Sequence, residues 1–344
     1  MKRRWKIALG VLGALVVVGG GGFAYMLTRP PPPAKIADAG PTGQRIAGGG
    51  IFANYYPASG TGPHPAILLL GGSEGGLASD VRAQALLLQA EGFGVLQLAY
   101  HNAPGKPAKL KNIPIEDFTR GLDWLKKQPG IDPARIGIVG YSKGAEAGLL
   151  VATRYPGIRA VALGMPSSVV WDGMSGENYM LGSFSSSWSA KGEPVPHLAY
   201  KGRPDDRGLM AVFEGGLKEL DENPAAIIPV ERYKGRLLLV CGESEKLWPS
   251  CPMTDQIVAR AARQGGAAPI VLRYKDAGHA VMGASFADAA AAKKWSKLGG
   301  TAEGNAAARA DSWPKIVAFL KAGIAANRQD PKLPYHPLSE TTAH

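Results

Sequence analysis

The sequence predicts an α/β fold built on a mostly parallel sheet with helices on both faces, and three observations carry that prediction. From about residue 46 onward, short apolar runs alternate with segments of helical periodicity. The runs are short and mostly apolar, as strands buried in a parallel sheet are. One of them, in "IGIVGYSKGAEAGLL" (136–150), breaks into Gly-Tyr-Ser-Lys-Gly and restarts as a helix within a few residues.

Each element has its own signal. Residues 66–70 form the first clear strand, ending in "GGSEGG". A helix over 78–91 follows, with its leucines on one face. Residues 94–98 are the next strand and 115–127 the next helix. Asp132-Pro133-Ala134-Arg135 read as a turn before the strand around Ile136, Ile138 and Val139. Strands over 160–163, 237–240 and 270–274 and a closing helix over 316–324 complete the pattern. Between residues 164 and 231 the alternation fails, in a Gly/Ser/Pro-rich stretch containing "GSFSSSWSAKGEPVP". That is too long for a plain loop and reads as an insertion over the site.

The N-terminus has a separate logic. Lys2, Arg3, Arg4 and Lys6 precede residues 7–27, which carry no charge over 21 positions. This reads as a membrane-spanning anchor with a short cytoplasmic end (1–6) and the body outside the cytoplasm, periplasmic in a bacterium. The alternative is a secretory signal cleaved near Ala24, but the apolar character continues through Tyr25, Met26 and Leu27. A Pro-rich tether (28–45), the main domain (46–327) and a polar tail (328–344) follow. The net charge of +11 is partly this N-terminal cluster. There is no basic stripe interleaved with aromatics and no zinc-type cysteine spacing, so nucleic acid is not an expected partner, nor a metal or cofactor.

Gly140-Tyr141-Ser142-Lys143-Gly144 fits G-x-S-x-G, the strand-to-helix turn that presents a nucleophilic serine. A serine hydroxyl needs a base to take its proton. Of the six histidines, His279 in "YKDAGHAV" follows a strand and emerges at the same sheet edge as Ser142; His101 is a less well-flanked candidate. The acid lies between them in chain order, in "VCGESEKLWPS": Glu245, with Glu243 as the alternative. Backbone N–H groups of Lys143 and of Ser73, in the loop after the first strand, are the expected oxyanion donors. Lys106, Lys109 and Lys111 follow the second strand and are candidates for attracting substrate phosphates; Trp171 is a further candidate for substrate contact. Cys241 and Cys251 flank the acid turn. Two cysteines in an exported domain can pair; the equally open alternative is two reduced thiols, with the turn held by packing around Trp248.

With these residues placed, "GGSEGG", "GFGVLQLAYHN", "IPIEDFTRGLDWL", "IGIVGYSKGAEAGLL", "PSSVVWDG", "IPVERYKGRLLLVCGESEKLWPS" and "YKDAGHAV" run in order across residues 66–282. Together they resemble the C-terminal catalytic domain shared by acyl-CoA thioesterases and bile acid-CoA:amino acid N-acyltransferases. The resemblance implies an α/β-hydrolase acting on acyl thioesters, with Ser142, Glu245 and His279 at the triad positions. The family's transferases carry cysteine at the nucleophile, so serine implies hydrolysis. The thioesterases usually have aspartate where this chain has Glu245. The strand pattern starts soon after the tether, so the N-terminal β-sandwich of the animal enzymes is not expected. The alternatives are an exported carboxylesterase or lipase-like hydrolase, or a membrane-tethered binding protein with a vestigial triad.

Overall fold

The structure, a computed structural model, describes residues 25, 32–175, 178 and 185–325. The expected anchor (7–27), apart from Tyr25, and the polar tail lie outside those residues. Among the described residues no helix is long and apolar enough to cross a membrane.

The strands that the sequence marks by apolar runs become the middle of one sheet: β3 (His64–Leu70), β4 (Gly94–Leu98), β6 (Ile131–Tyr141), β7 (Ile158–Gly164), β10 (Arg236–Gly242) and β11 (Ile270–Tyr274). The hairpin β1 (Gln44–Gly48) and β2 (Ile51–Tyr56) adds an antiparallel edge. The order is β1-β2-β4-β3-β6-β7-β10-β11, parallel from β4 onward. Alternate side chains feed two cores. Leu68, Leu70, Leu96 and Ile138 pack with helices α2 (Ile115–Lys126) and α3 (Lys143–Ala152). Ile67, Leu69, Val95 and Val139 pack with α1 (Ser79–Ala90) and α7 (Ala302–Ala325).

The chain leaves β3 towards β4 on one side and returns to β6 on the other, so the connections diverge between β3 and β6. In parallel sheets the crevice outside such a divergence is where ligands bind. The two loops that open there are 71–76 and the turn at Ser142.

Several expectations change in detail. Asp132–Arg135 is not a turn before a strand but a bulge inside β6, marked by a register shift against β3. The Asp132 carboxylate accepts the Ala134 N–H at 2.9 Å and stabilises it locally. After α6 (Ala289–Trp295), the closing helix α7 is 24 residues long and contains Pro314. The tether is not free from Pro32 on: Ala37 N–H donates to Leu77 O at 2.8 Å and Asn102 Nδ2 to Pro32 O at 3.0 Å, while Ala39 is buried. Between β7 and β10 the insertion forms β8 (Trp188–Ala190), β9 (Glu193–Pro194), α4 (Met210–Leu217) and two short 3-10 turns. Strand β8 pairs with β5 (Ile113–Pro114), fastening the insertion to the loop after β4.

Candidate active site

Ser142 sits between the last residue of β6 and the first of α3 with φ 50° and ψ −118°. A non-glycine residue held there costs on the order of 1–3 kcal/mol and persists only where its surroundings enforce it. The enforcement is steric. A Cβ on Gly140 would lie 2.4 Å from Gly144 O, and one on Gly144 would lie 2.1 Å from Gly71 O. The two glycines of the motif therefore let strand, helix and the neighbouring loop converge.

Residue Lys143 shows why the helix stays put. Its side chain is buried, with Nζ 2.8 Å from Glu146 Oε2 and 2.8 Å from Ser187 Oγ. The other Glu146 oxygen accepts Trp171 N–H at 3.0 Å and Trp188 Nε1–H at 2.7 Å. This buried polar knot ties the helix below the serine to the insertion above it. Burial lowers the Lys143 pKa, and the adjacent Glu146 carboxylate opposes that.

The candidate base and acid, His279 and Glu245, come from the other end of the sheet. His279 Nδ1 lies 2.8 Å from Glu245 Oε1, with both residues buried. A carboxylate only accepts, so Nδ1 carries the proton and Nε2 is left as the basic nitrogen. Glu245 also accepts from Ser250 Oγ at 3.1 Å and Leu247 N at 3.3 Å. Glu243 instead faces solvent, 3.7 Å from Arg273. The backbone pairs Glu245 with Gly299 and Ala277 with Gly300, and Asn305 receives Gly278 N–H at 2.9 Å. Cys241 and Cys251 form a disulfide, with Cα atoms 5.2 Å apart, closing the turn that holds Glu245. Cys251 lies in the first turn of α5 (Ser250–Arg263), next to the serine that bonds Glu245.

The remaining candidates sort differently. Lys106 is not poised for phosphate: its Nζ is 2.9 Å from Asp117 and bonds Gly50 O, so its charge is already matched. Lys109 and Lys111 are half-buried in the same loop. Trp171 is fully buried and donates to Ser167 Oγ at 3.0 Å, so it is part of the insertion's core and not a contact surface. It leads to the base indirectly, through rings in sequence: Trp171 to Phe213 (5.0 Å), Phe213 to Trp248 (5.8 Å) and Trp248 to His279 (6.2 Å). His101 is buried, and burial lowers its pKa to about 4; the Ser73 backbone opposes this without reaching hydrogen-bond geometry to either ring nitrogen. A cavity of about 340 Å³ between Ile227, Ile228 and α5 is lined by none of Ser142, Glu245 and His279.

Sequence reasoning did not find Glu146, Ser250, Asn305 or Tyr100. Tyr100 hydroxyl donates to Gly71 O at 2.8 Å and to Gly72 O, holding the loop that carries Ser73. Only the helical spacing of Lys143 and Glu146, i to i+3, was a legible signal for any of them.

Comparison with known proteins bears on the fold and the family. Solved structures of an esterase/lipase from an uncultured bacterium (TM-score 0.53, 18% identity, 86% of this chain and 88% of that one) and of an esterase from Pyrococcus furiosus (TM-score 0.51, 15% identity, 86% and 100%) share the fold. These are α/β-hydrolases, and the likeness concerns the fold alone. Among curated proteins, mitochondrial acyl-coenzyme A thioesterase 2 of Mus musculus is 28% identical over 277 residues, covering 79% of this chain and 58% of its own. Bile acid-CoA:amino acid N-acyltransferase of Mus musculus is 29% identical over 268 residues, covering 76% and 60%. The chain thus spans about three fifths of the length of these relatives. The family model described as BAAT / Acyl-CoA thioester hydrolase C terminal matches residues 113–326, most of the chain, and the chain belongs to that family.

Proposed function

We propose that the chain is a serine hydrolase of acyl thioesters or esters, working through Ser142, His279 and Glu245 and a covalent acyl-enzyme. The observation that carries this reading is a serine on a strained elbow at the same sheet edge as a buried histidine–carboxylate pair 2.8 Å apart. His279 Nε2 takes the Ser142 proton as Oγ attacks the acyl carbonyl carbon. Glu245 holds the tautomer and stabilises the imidazolium. The N–H groups of Lys143 and Ser73 receive the oxyanion. The tetrahedral intermediate then expels thiolate or alkoxide, which His279 protonates. Water, activated by the same histidine, attacks the acyl-serine, and collapse of the second intermediate releases the acid and restores Ser142. Serine, rather than the cysteine of the family's transferases, favours water as the acceptor.

The export reading of the N-terminus bears on the substrate. The disulfide Cys241–Cys251 accords with an oxidising compartment. Pro32 and Ala37 bond Asn102 and Leu77, just past the ends of β4 and of the 71–76 loop. An anchor over 7–27 would therefore hold the catalytic edge beside the bilayer, outside the cytoplasm, where an oxygen ester or a thioester other than acyl-CoA is the substrate. Acyl-CoA and a p-nitrophenyl ester of the same chain length, assayed side by side, separate the two hydrolase readings. A fluorophosphonate probe separates both from a binding protein: absence of labelling at Ser142 would rule out the hydrolase.

A further inference from the structure

The motif "GGSEGG" contains a carboxylate that the mechanism has not used. Glu74 follows Ser73, and its side chain folds back over the two preceding glycines. Oε1 accepts the Gly72 N–H at 2.7 Å. A Cβ on Gly71 would lie 2.1 Å from Oε1. One on Gly72 would lie 2.9 Å from Oε2 and 3.4 Å from Ser142 Cβ. Gly72 is therefore wedged between the Glu74 carboxyl and the nucleophile. Glycines at 71 and 72 are what make room for the carboxyl, so the four residues form one unit. Gly75 and Gly76, with φ of 104° and 99°, return the chain to the body at His101 O and Leu98 O. The residue as a whole is exposed, and the carboxyl is the part turned inward.

We propose that Glu74 is a positioning residue for the oxyanion hole, holding the Gly71–Gly72 peptide so that the next N–H along the loop, that of Ser73, is kept turned to Ser142, and that it does so as the neutral acid. This rests on the hydrolase reading above. The reason for neutrality is electrostatic. An ionised carboxylate across Gly72 from Ser142 would repel the oxyanion that the same loop must stabilise, an effect on the order of 10- to 100-fold in rate. The surroundings keep a proton available. Burial raises the pKa to about 7, with Asp80 at the start of α1 adding to it; Glu74's own backbone N–H, the Gly72 N–H and His279, beyond Ser142, act against it. The other titratable neighbours are Tyr100 and Tyr141, whose hydroxyls burial keeps protonated, and Arg309, which interacts with Tyr141 and Asp80. His101, on the far side of Ser73, is neutral by burial.

The test is the pH profile of kcat on a soluble p-nitrophenyl ester, with the full chain in detergent, for wild type, Glu74→Gln and Glu74→Ala. Glutamine keeps the acceptor for Gly72 N–H and cannot ionise. It should lose about threefold at pH 6 and exceed wild type about 10-fold at pH 9. Alanine should lose about 10- to 100-fold in kcat at pH 6, where the wild-type carboxyl is protonated, with KM within about twofold. A second readout does not depend on turnover. A carboxyl whose folded pKa is raised from 4.5 to about 7 weakens folding as pH rises through that window. Glu74→Gln should therefore raise the unfolding midpoint relative to wild type at pH 8 and not at pH 4. Wild-type kcat in Glu74→Ala, or a wild-type alkaline limb in Glu74→Gln, would overturn the proposal. A wild type that neither turns over ester nor labels at Ser142 would sink the hydrolase reading, and this proposal with it.

Discussion

On one side of Ser142, the His279–Glu245 pair is gripped from several directions: a disulfide, a serine hydroxyl, two backbone bridges to Gly299 and Gly300, and Asn305. On the other side, the loop carrying Ser73 hangs on the Tyr100 hydroxyl and on its own Glu74. The first flank has redundant supports, each replaceable by the rest. The second has few, and one of them can change its charge near neutral pH. Under the proposed mechanism, this assembly keeps the proton relay fixed and leaves the anion-binding loop sensitive to conditions.

The largest effects should come from the relay itself. Ser142→Ala and His279→Ala should each lower kcat by at least about 10³-fold, and Glu245→Ala by less, because the three act as a unit. Circular dichroism should show all three folded. Substantial turnover in His279→Ala would move the base role elsewhere and dissolve the contrast between the flanks.

Next in size is the knot beneath the serine. Glu146→Leu leaves the Lys143 ammonium without its counter-charge, with only Ser187 Oγ as acceptor, and the Trp171 N–H and Trp188 Nε1–H without theirs. It should cost about 3–5 kcal/mol, read from the urea midpoint. Lys143→Met leaves Glu146 its two tryptophan donors and should cost less. Equal costs would mean that the tryptophan bonds contribute nothing.

The smallest of the three tests the redundancy of the acid–histidine flank. Cys241→Ser with Cys251→Ser should lower stability by about 2–3 kcal/mol, as expected for opening a short loop. It should change kcat by less than about threefold, because Ser250 and the bridges to Gly299 still hold Glu245. A loss as large as that of Glu245→Ala would show the disulfide to be the main support.

The sequence announces what depends on continuous apolar runs and on short-range geometry. Strands β3, β4, β10 and β11 are built on short hydrophobic runs, and Gly140, Ser142 and Gly144 sit within five residues of one another. What it hides depends on tertiary pairing. β1 reads "QRIAG", mostly exposed, and is a strand only because β2 lies beside it. Pro314 argues for two helices where α7 is one, since packing against the sheet overrides the missing hydrogen bond. Lys106 looked like a free basic residue because its partner, Asp117, lies a strand and a helix turn further on. Trp171 looked like a contact because nothing local shows that Phe213 and Tyr200 cover it. The turn favours Glu245 over Glu243 from sequence alone, and in the fold Glu245 meets His279 while Glu243 lies near Arg273.

The central claim, that Ser142 carries the acyl group under the control of His279, is tested most directly by intact-protein mass spectrometry during turnover of a p-nitrophenyl ester. Rapid acid quench of wild type should show one added acyl mass, mapped by peptide sequencing to the "GYSKG" segment. The added mass should be absent from Ser142→Ala and should form far more slowly in His279→Ala. An acyl adduct that persists in Ser142→Ala, or hydrolysis at the wild-type rate in that variant, would contradict it.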